Sequence, residues 1–201
     1  MSAPEPMSPL AAYLKPHAAE SAGVTICERP VAFAEIVARR GRAAELSAAL
    51  KTAFGFDAPA AGRSARNVDV EALWIAPDTV LIVGAAPAIS RLRNALARDV
   101  AAFVDQSGGY GVLRISGPRA REALAKGCRI DLHPSAFGSG HVARTIMAQM
   151  PVAIHQLDDA PTFDLIIPRT LAVSFADFVT ESAEEFGLSV LPPLQSKAET
   201  P

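Results

Sequence analysis

Residues 112–128 constrain the fold more than any other stretch, because they predict a strand, a tight turn, a short helix and a glycine stop in direct succession. Leu113 and Ile115 alternate with Arg114, as they do in a half-buried strand. Pro118 is expected at the first position of the helix, where its missing N–H costs nothing. One helical face then carries Ala120, Ala123, Leu124 and Gly127. This spacing predicts that the helix packs back onto its own strand.

Apolar periodicity switches repeatedly between strand and helix along the rest of the chain. Strands are predicted at 24–27, 32–38, 72–76, 80–83, 103–105, 110–115, 143–150, 152–157 and 163–167. Helices are predicted around 46–54, 89–100 and 171–186, with Gly55 and Gly187 as stops and Thr170 as an N-cap. The same order of elements occurs twice. It predicts an α+β fold of two fused β-α-β-β-α-like halves with mainly antiparallel sheets.

The predicted organisation is one pair of fused halves flanked by two arms. The halves are expected at 23–100 and 101–189, and no linker rich in Pro, Gly or Ser separates them. Residues 1–22 contain four prolines and few apolar anchors, so they are predicted to be a disordered tail or an arm that orders on a partner. Residues 190–201 are predicted to be a tail of the same kind.

Charge and cysteine content exclude several classes of protein. The chain has 19 basic and 21 acidic residues, so it has no general electrostatic reason to bind nucleic acid or an anionic membrane. Cys27 and Cys128 lie far apart in sequence and are predicted to be free thiols in a reducing compartment. No stretch approaches the ~18 consecutive apolar residues of a membrane helix. The N-terminus lacks the pattern of a signal peptide, so we expect a cytoplasmic protein.

No motif in the sequence predicts catalysis, a cofactor or a metal on this chain. The glycine-rich segment 107–111 precedes a strand, which favours a hairpin turn over a phosphate-binding loop. Cys128, Asp131, His133 and His141 are the nearest approach to a metal constellation, but their spacing matches no paired-ligand pattern. Residues 131–134 are instead predicted to form a structural turn.

A basic cluster surrounds the short helix and leaves two interpretations open. Its members are Arg114, Arg119, Arg121, Lys126 and Arg129. A solvated face with a Glu122–Lys126 pair at i,i+4 explains them without any ligand. The other interpretation is a protein interface, in which arginine is enriched, or less readily an anion-binding or nucleic-acid-binding patch.

The chain resembles the gamma subunit of heterotetrameric sarcosine oxidase. The resemblance rests on positions 104–105, 107, 112–118, 120–121, 124–128, 131–134 and 136–137, and it extends through the final helix. It implies a small, cofactor-free subunit similar in fold to the folate-binding domain of aminomethyltransferases. It also implies that FAD, FMN, NAD, zinc and tetrahydrofolate are carried by other subunits of the complex.

The resemblance predicts a non-catalytic structural subunit of a complex that oxidatively demethylates sarcosine to glycine, with alpha, beta and delta subunits as partners. Interface residues are expected in the first arm and the basic cluster: Tyr13, Leu14, Arg114, Arg119 and Arg121. One alternative is a free-standing folate-binding or aminomethyltransferase-like protein. Another is the small subunit of a related N-methyl amino acid dehydrogenase.

Overall fold

Strands and helices alternate through residues 8–194, which are the residues that the computed structural model describes. The elements are β1 (Val24–Glu28), β2 (Ala32–Ala38), α1 (Ala43–Phe54), β3 (Ser64–Arg66), β4 (Val70–Ala76), β5 (Thr79–Gly84), α2 (Ala86–Ala95), β6 (Ala101–Asp105), β7 (Tyr110–Ser116), α3 (Ala120–Ala125), β8 (Val142–Met147), β9 (Met150–Asp158), β10 (Thr162–Pro168), α4 (Ala172–Glu184) and β11 (Leu188–Val190). A single 3-10 turn, Arg169–Leu171, precedes α4.

The strands form two sheets with the same underlying topology. One sheet has the order β3-β4-β5-β2-β6 and the other β11-β1-β7-β10-β9-β8. In each, three consecutive strands form a meander beside the strand that opens the repeat, and a helix follows that opening strand. Within the described residues only the β1–β11 pair is parallel. The predicted α+β fold with mainly antiparallel sheets is therefore confirmed.

The sheets do not follow the division of the sequence at residue 101. Strand β1 precedes the five-stranded sheet in sequence but pairs with β7 in the six-stranded sheet. Strand β6 follows residue 100 but pairs with β2 in the five-stranded sheet. The hairpin turn predicted at 107–111 is wrong for the same reason. The chain crosses there from one sheet to the other, because β6 and β7 each find partners that are distant in sequence.

Packing produces four layers with the two sheets in the middle. Helices α1 and α2 contribute Leu50 and Leu92 to a core with the outer face of the five-stranded sheet. Phe175 of α4 belongs to the corresponding core of the six-stranded sheet, together with α3. Leu81 and Ile166 belong to a third core between the sheets. Both faces of the central strands are thus buried, so a polar side chain facing the third core needs a partner inside the protein.

Two helix starts differ from the prediction, while the glycine stops agree with it. Pro118 lies two residues before α3, and α4 begins at Ala172 without a side-chain cap from Thr170. Gly55 and Gly187 have φ angles of 82° and 75°, the left-handed conformation that ends a helix. At Gly127 the reason for glycine is space, because a Cβ there would lie 2.3 Å from Cζ of Phe178.

Residues 8–22 pack on their own chain, which differs from the predicted tail or partner-ordered arm. Leu10 is completely buried in the core beneath α4, and the backbone of His17 pairs with that of Val190. The segment after β11 continues beside β1, where the N–H of Leu194 donates to the carbonyl of Glu28 at 2.9 Å. Burial of apolar anchors offsets the entropy of ordering these segments. The remainder of both predicted arms, 1–7 and 195–201, lies outside the described residues.

Candidate functional site

A network of buried charges joins the two sheets at their interface. Asp164, on β10, has only 1% of its side chain exposed. It accepts hydrogen bonds from Arg29 Nη1 at 2.6 Å and from Arg114 Nε and Nη2 at 2.6 and 2.8 Å. The two arginines come from the loop after β1 and from β7. Charge-assisted bonds of this kind are the strong hydrogen bonds of proteins, so Asp164 fixes both guanidinium groups.

Glu71 provides the connection to the five-stranded sheet. Its carboxylate accepts hydrogen bonds from Arg29 Nη2 at 2.9 Å and Nη1 at 3.2 Å. Nδ1 of His155 lies 3.4 Å from Oε2 of Glu71, within ion-pair distance. Burial alone would raise the pKa of Glu71, but contact with His155 and the charge of Arg29 outweigh it and lower the pKa from 4.5 to about 2. Glu71 therefore remains charged throughout the physiological range.

His155 is a buried core histidine whose Nδ1 has no hydrogen-bond partner within the described residues. Its side chain is 1% exposed, and Nε2 lies 2.9 Å from the hydroxyl oxygen of Ser64. Oγ of Ser64 also lies 3.2 Å from the carbonyl oxygen of Gly140. His155 thus links β9 to β3 of the other sheet.

Three members of this network lie close enough together to bind a metal ion, but arginine side chains already balance the charges of their carboxylates. The ligand atoms of Glu71, His155 and Asp164 all lie within 4.8 Å of one another. Two arginine charges neutralise the two carboxylates at hydrogen-bond distance. A divalent cation would add buried positive charge without a counterion, which is costly. The cluster is therefore best described as an ion-pair network between the sheets.

A groove of about 960 Å³ opens beside the two arginines. Arg29 and Arg114, with 18% and 24% of their side chains exposed, lie on its lining. The start of α2 and the loop around Val68 form further parts of the wall. The groove thus combines apolar surface with hydrogen-bond donors, as ligand-binding and peptide-binding surfaces do.

The structure separates the three arginines that the sequence suggests for an interface. Arg114 belongs to the buried network. Arg121 donates to the carbonyls of Leu132 and Phe137, the second at 3.0 Å, and so holds the loop after α3. Arg119 is on the surface, with 48% of its side chain exposed, an ion pair to Glu122 at 2.6 Å and the ring of Phe186 at 4.8 Å.

Tyr13 and Leu14 also make contacts within the chain. The Tyr13 hydroxyl donates to Asp177 on α4, and this bond, together with burial and the nearby carboxylates, raises the pKa of Tyr13 to about 12. Leu14 is half-buried against the core beneath α4. The predicted Glu122–Lys126 pair is replaced by other contacts: Lys126 pairs with Glu185 and donates to the carbonyl of Ser182 at 2.6 Å.

The loop after α3 contains the predicted structural turn. Oδ1 of Asp131 accepts the backbone N–H of His133 at 2.8 Å, which confirms the turn. His141 makes an edge contact with the ring of Phe137 at 5.4 Å between centroids. Within residues 8–194 the metal constellation considered from the sequence does not come together as a ligand cluster. Cys27 and Cys128 are free thiols, and burial raises the pKa of each.

Sequence reasoning missed the buried network because its members are scattered over the chain. One signal was available: Arg114 and Asp164 are each a single charge inside an otherwise apolar strand. In a strand buried on both faces, such a charge needs an oppositely charged neighbour. The pairing of β7 with β10 that places Asp164 opposite Arg114 is set by the tertiary structure.

A model of the sarcosine oxidase gamma subunit family matches residues 40–185. The chain belongs to this family. Among relatives, the gamma subunit of sarcosine oxidase from Corynebacterium sp. (strain U-96) is 36% identical over 155 residues, covering 74% of this chain and 75% of its own length. The gamma subunit from Arthrobacter sp. is 34% identical over 151 residues, covering 70% of this chain and 71% of its own. The resemblance carried by residues 104–137 is therefore confirmed.

Solved structures agree with the family and extend the match at the level of fold. A chain of the heterotetrameric sarcosine oxidase from Corynebacterium sp. U-96, in complex with pyrrole 2-carboxylate, is 27% identical with a TM-score of 0.78, over 90% of this chain and 95% of that one. The glycine cleavage system aminomethyltransferase T from Bartonella henselae has a TM-score of 0.63 at 14% identity, over 86% of this chain and 48% of that one. The predicted similarity to aminomethyltransferases in fold is thus confirmed. In the described residues, no helix is long and apolar enough to cross a membrane.

Proposed function

We propose that this chain is the non-catalytic structural gamma subunit of a heterotetrameric oxidase that oxidatively demethylates sarcosine to glycine. Its partners are the alpha, beta and delta subunits of that complex, in the cytoplasm. FAD, FMN, NAD, zinc and tetrahydrofolate are carried by those partners, and none is held by this chain. Neither nucleic acid nor a membrane is part of this function.

One observation carries the proposal: the structural match to a chain of the Corynebacterium complex spans nearly the whole of both chains. It covers 90% of this chain and 95% of the other with a TM-score of 0.78. A match of this extent supports an equivalent place in an equivalent assembly. Fold alone does not imply function, but here the sequence family and the full-length fold agree.

The chemistry of the charged network supports a structural role. A general base works best with a pKa near the operating pH, whereas Glu71 has a pKa of about 2. Asp164 is saturated by two guanidinium groups and is shielded from solvent. The only strongly interacting ionisable groups between the sheets in residues 8–194 therefore hold the sheets together and are poorly suited to proton transfer.

The predicted interface is retained as part of the proposal, with Arg119 as its principal charged contact. Arg119 has 48% of its side chain exposed, against 24% for Arg114. Tyr13 and Leu14 would contribute the exposed parts of the segment on α4. Arg121 would act mainly by shaping the surface, since its guanidinium group binds carbonyl groups of this chain, whereas Arg114 would contribute through the exposed part of its side chain.

Co-expression with the other subunits tests the proposal. A tagged copy of the chain should capture them, and the purified complex should oxidise sarcosine with release of glycine. Other N-methyl amino acids, offered in the same assay, distinguish sarcosine oxidase from a related dehydrogenase. A tagged chain that remains alone in the presence of all three partners, or that turns over an amine without them, would overturn the proposal.

Arg42 offers a matched control for Arg119. Each is 48% exposed and each pairs with a glutamate at i,i+3, Glu45 for Arg42 and Glu122 for Arg119, but Arg42 lies beside α1 on the opposite outer layer. Arg119→Ala should weaken capture of the partners by about tenfold, and Arg42→Ala should leave it unchanged. Equal behaviour of the two variants would remove Arg119 from the interface.

A further inference from the structure

The groove beside the charged network has a surplus of hydrogen-bond donors on its lining. A guanidinium group has five N–H donors. Arg114 uses Nε and Nη2 on Asp164, and in residues 8–194 its Nη1 makes no hydrogen bond. About a quarter of its side chain, 24%, is exposed. An occupant of the groove that supplies an acceptor would therefore meet donors that are already held in place.

The acidic residues of the lining accept hydrogen bonds from other groups than Nη1 of Arg114. Glu28 is 3% exposed and accepts the hydroxyl of Ser8. Asp69 pairs with Arg91 at 3.2 Å, and Asp105 accepts the N–H of Ser107 at 3.0 Å. Among residues 8–194, therefore, no acidic residue of the lining supplies an acceptor to Nη1 of Arg114.

The end wall of the groove adds to this preference for an acceptor. Helix α2 starts at Ala86 without a side-chain cap, and Ala86 and Pro87 are exposed on the lining. Pro87 has no N–H, and the N–H of Ala88 donates to the carbonyl of Ala85 at 3.0 Å, so this helix start contributes the N–H of Ala86 and a partial positive charge. This feature alone would not define a site, but it lies on the same groove as the arginine donors.

Apolar surface lies beside the donors. Val68 is 86% exposed, the highest value among the exposed large hydrophobic residues of the described chain, and it is on the lining with Val31 and Pro87. Protein interfaces cover such surface. The volume of about 960 Å³ is at the upper end of the roughly 300–1,000 Å³ of small-molecule sites, so a single small carboxylate would leave most of it empty.

We propose that this groove binds an extended segment of a partner subunit that places a carboxylate side chain at Arg29 and Arg114 and apolar side chains against Val68. The inference rests on the proposed function, because it names where one of the partners binds. Glu71 and Asp164 already balance the charges of the two arginines, so the selection comes from the unused N–H donors of Arg114. A carboxylate is the strongest acceptor for such donors, which favours an acidic segment over a basic or purely apolar one.

Ala86→Glu and Ala86→Gln test the proposal as a pair of nearly equal size. An acidic residue in the first turn is favourable for a helix, so the glutamate variant should fold with unchanged or slightly higher Tm. Its carboxylate would occupy the groove and repel an acidic segment. With the wild-type chain capturing its co-expressed partners, Ala86→Glu should reduce capture by at least about tenfold, while Ala86→Gln stays within about twofold.

The outcomes separate this inference from the proposed function. Failure of the wild-type chain to capture any partner would overturn the proposed function. Capture by wild type and equally by Ala86→Glu would overturn the groove as the binding place while the proposed function stands. Equal loss in the glutamate and glutamine variants would overturn the acidic character of the segment. Ala43→Glu, at the exposed first residue of α1, checks that a new charge at a helix start by itself has no effect.

Discussion

Replacing Glu71 by glutamine should destabilise the protein by removing the charge that links the two sheets. Glu71 comes from the five-stranded sheet and holds Arg29, which also binds Asp164 of the six-stranded sheet. Glutamine has nearly the same shape but no charge. The guanidinium group of Arg29 would then share a single carboxylate with Arg114.

The expected loss is about 3 kcal/mol at neutral pH. The pKa of Glu71 falls from 4.5 to about 2 on folding, and each pKa unit corresponds to about 1.4 kcal/mol. Removing one partner of a buried ion pair costs roughly 3–5 kcal/mol in other proteins, which agrees with this magnitude. The side chain is 11% exposed, so solvent screening reduces the value only slightly.

Urea unfolding of both proteins over a series of pH values tests the magnitude and its origin. A carboxyl group with a lowered pKa in the folded state stabilises fully above its unfolded pKa and loses the effect as pH falls through the folded value. The difference between wild type and Glu71→Gln should therefore be constant above pH 4.5 and shrink between 4.5 and about 2. Glu35→Gln, on β2 and without an ion pair in the described residues, should change stability by less than about 0.5 kcal/mol.

Two results would refute this reasoning. A loss below about 1 kcal/mol at pH 7 would mean that the ion pair contributes little beyond its desolvation cost. A loss of the expected size that does not shrink below pH 4.5 would show that glutamine acts through packing rather than through charge.

Three further predictions concern the packed segments and ligand binding. Leu10→Ala should lower the free energy of unfolding, measured in urea, by about 3 kcal/mol, because Leu10 is fully buried. Leu14→Ala should lower it by less, and equal losses for the two variants would contradict the packing. Gly127→Ala should lower the free energy of unfolding by about 1–3 kcal/mol, because the new methyl group would displace Phe178. Gly108→Ala should leave it unchanged, because the space around Gly108 is open. No loss for Gly127→Ala would contradict the close approach of Phe178. Calorimetric titration of the isolated chain with tetrahydrofolate should give no saturable heat, and saturable binding would favour the folate-binding alternative.

Apolar periodicity predicted most individual strands and helices, but it did not predict which strands pair. Alternation identified β2 and β7 within one or two residues, and β4 and β5 with the turn between them, because the signal for a strand is local. The turn at 107–111 was assigned to a hairpin because glycine-rich segments commonly join paired strands. The sequence holds no local signal that β6 pairs with β2 while β7 pairs with β1 and β10.

The sequence did not show which groups hold two of the three predicted interface arginines. Arg114 and Arg121 belong to one basic cluster in the sequence, yet one binds Asp164 and the other holds carbonyl groups of a loop. Arginine is ambiguous in this respect, because its long apolar stem and five donors suit both a surface and a buried carboxylate. Arg119 is the most exposed of the three, while Arg114 and Arg121 are half-buried.

Local sequence patterns predicted most of the strands and helices, though not β3 or β11, together with the glycine stops at the ends of two helices and the family. These depend on local periodicity, on conformations that favour glycine, and on residue patterns within single segments. Tertiary structure alone decided which strands share a sheet, the packing of residues 8–22 and the network of Arg29, Glu71, Arg114 and Asp164. Those features depend on contacts between residues that are far apart in sequence, such as Arg29 and Asp164, which are 135 positions apart. Burial requires that each such charge has a partner, but the local sequence does not indicate which residue that partner is.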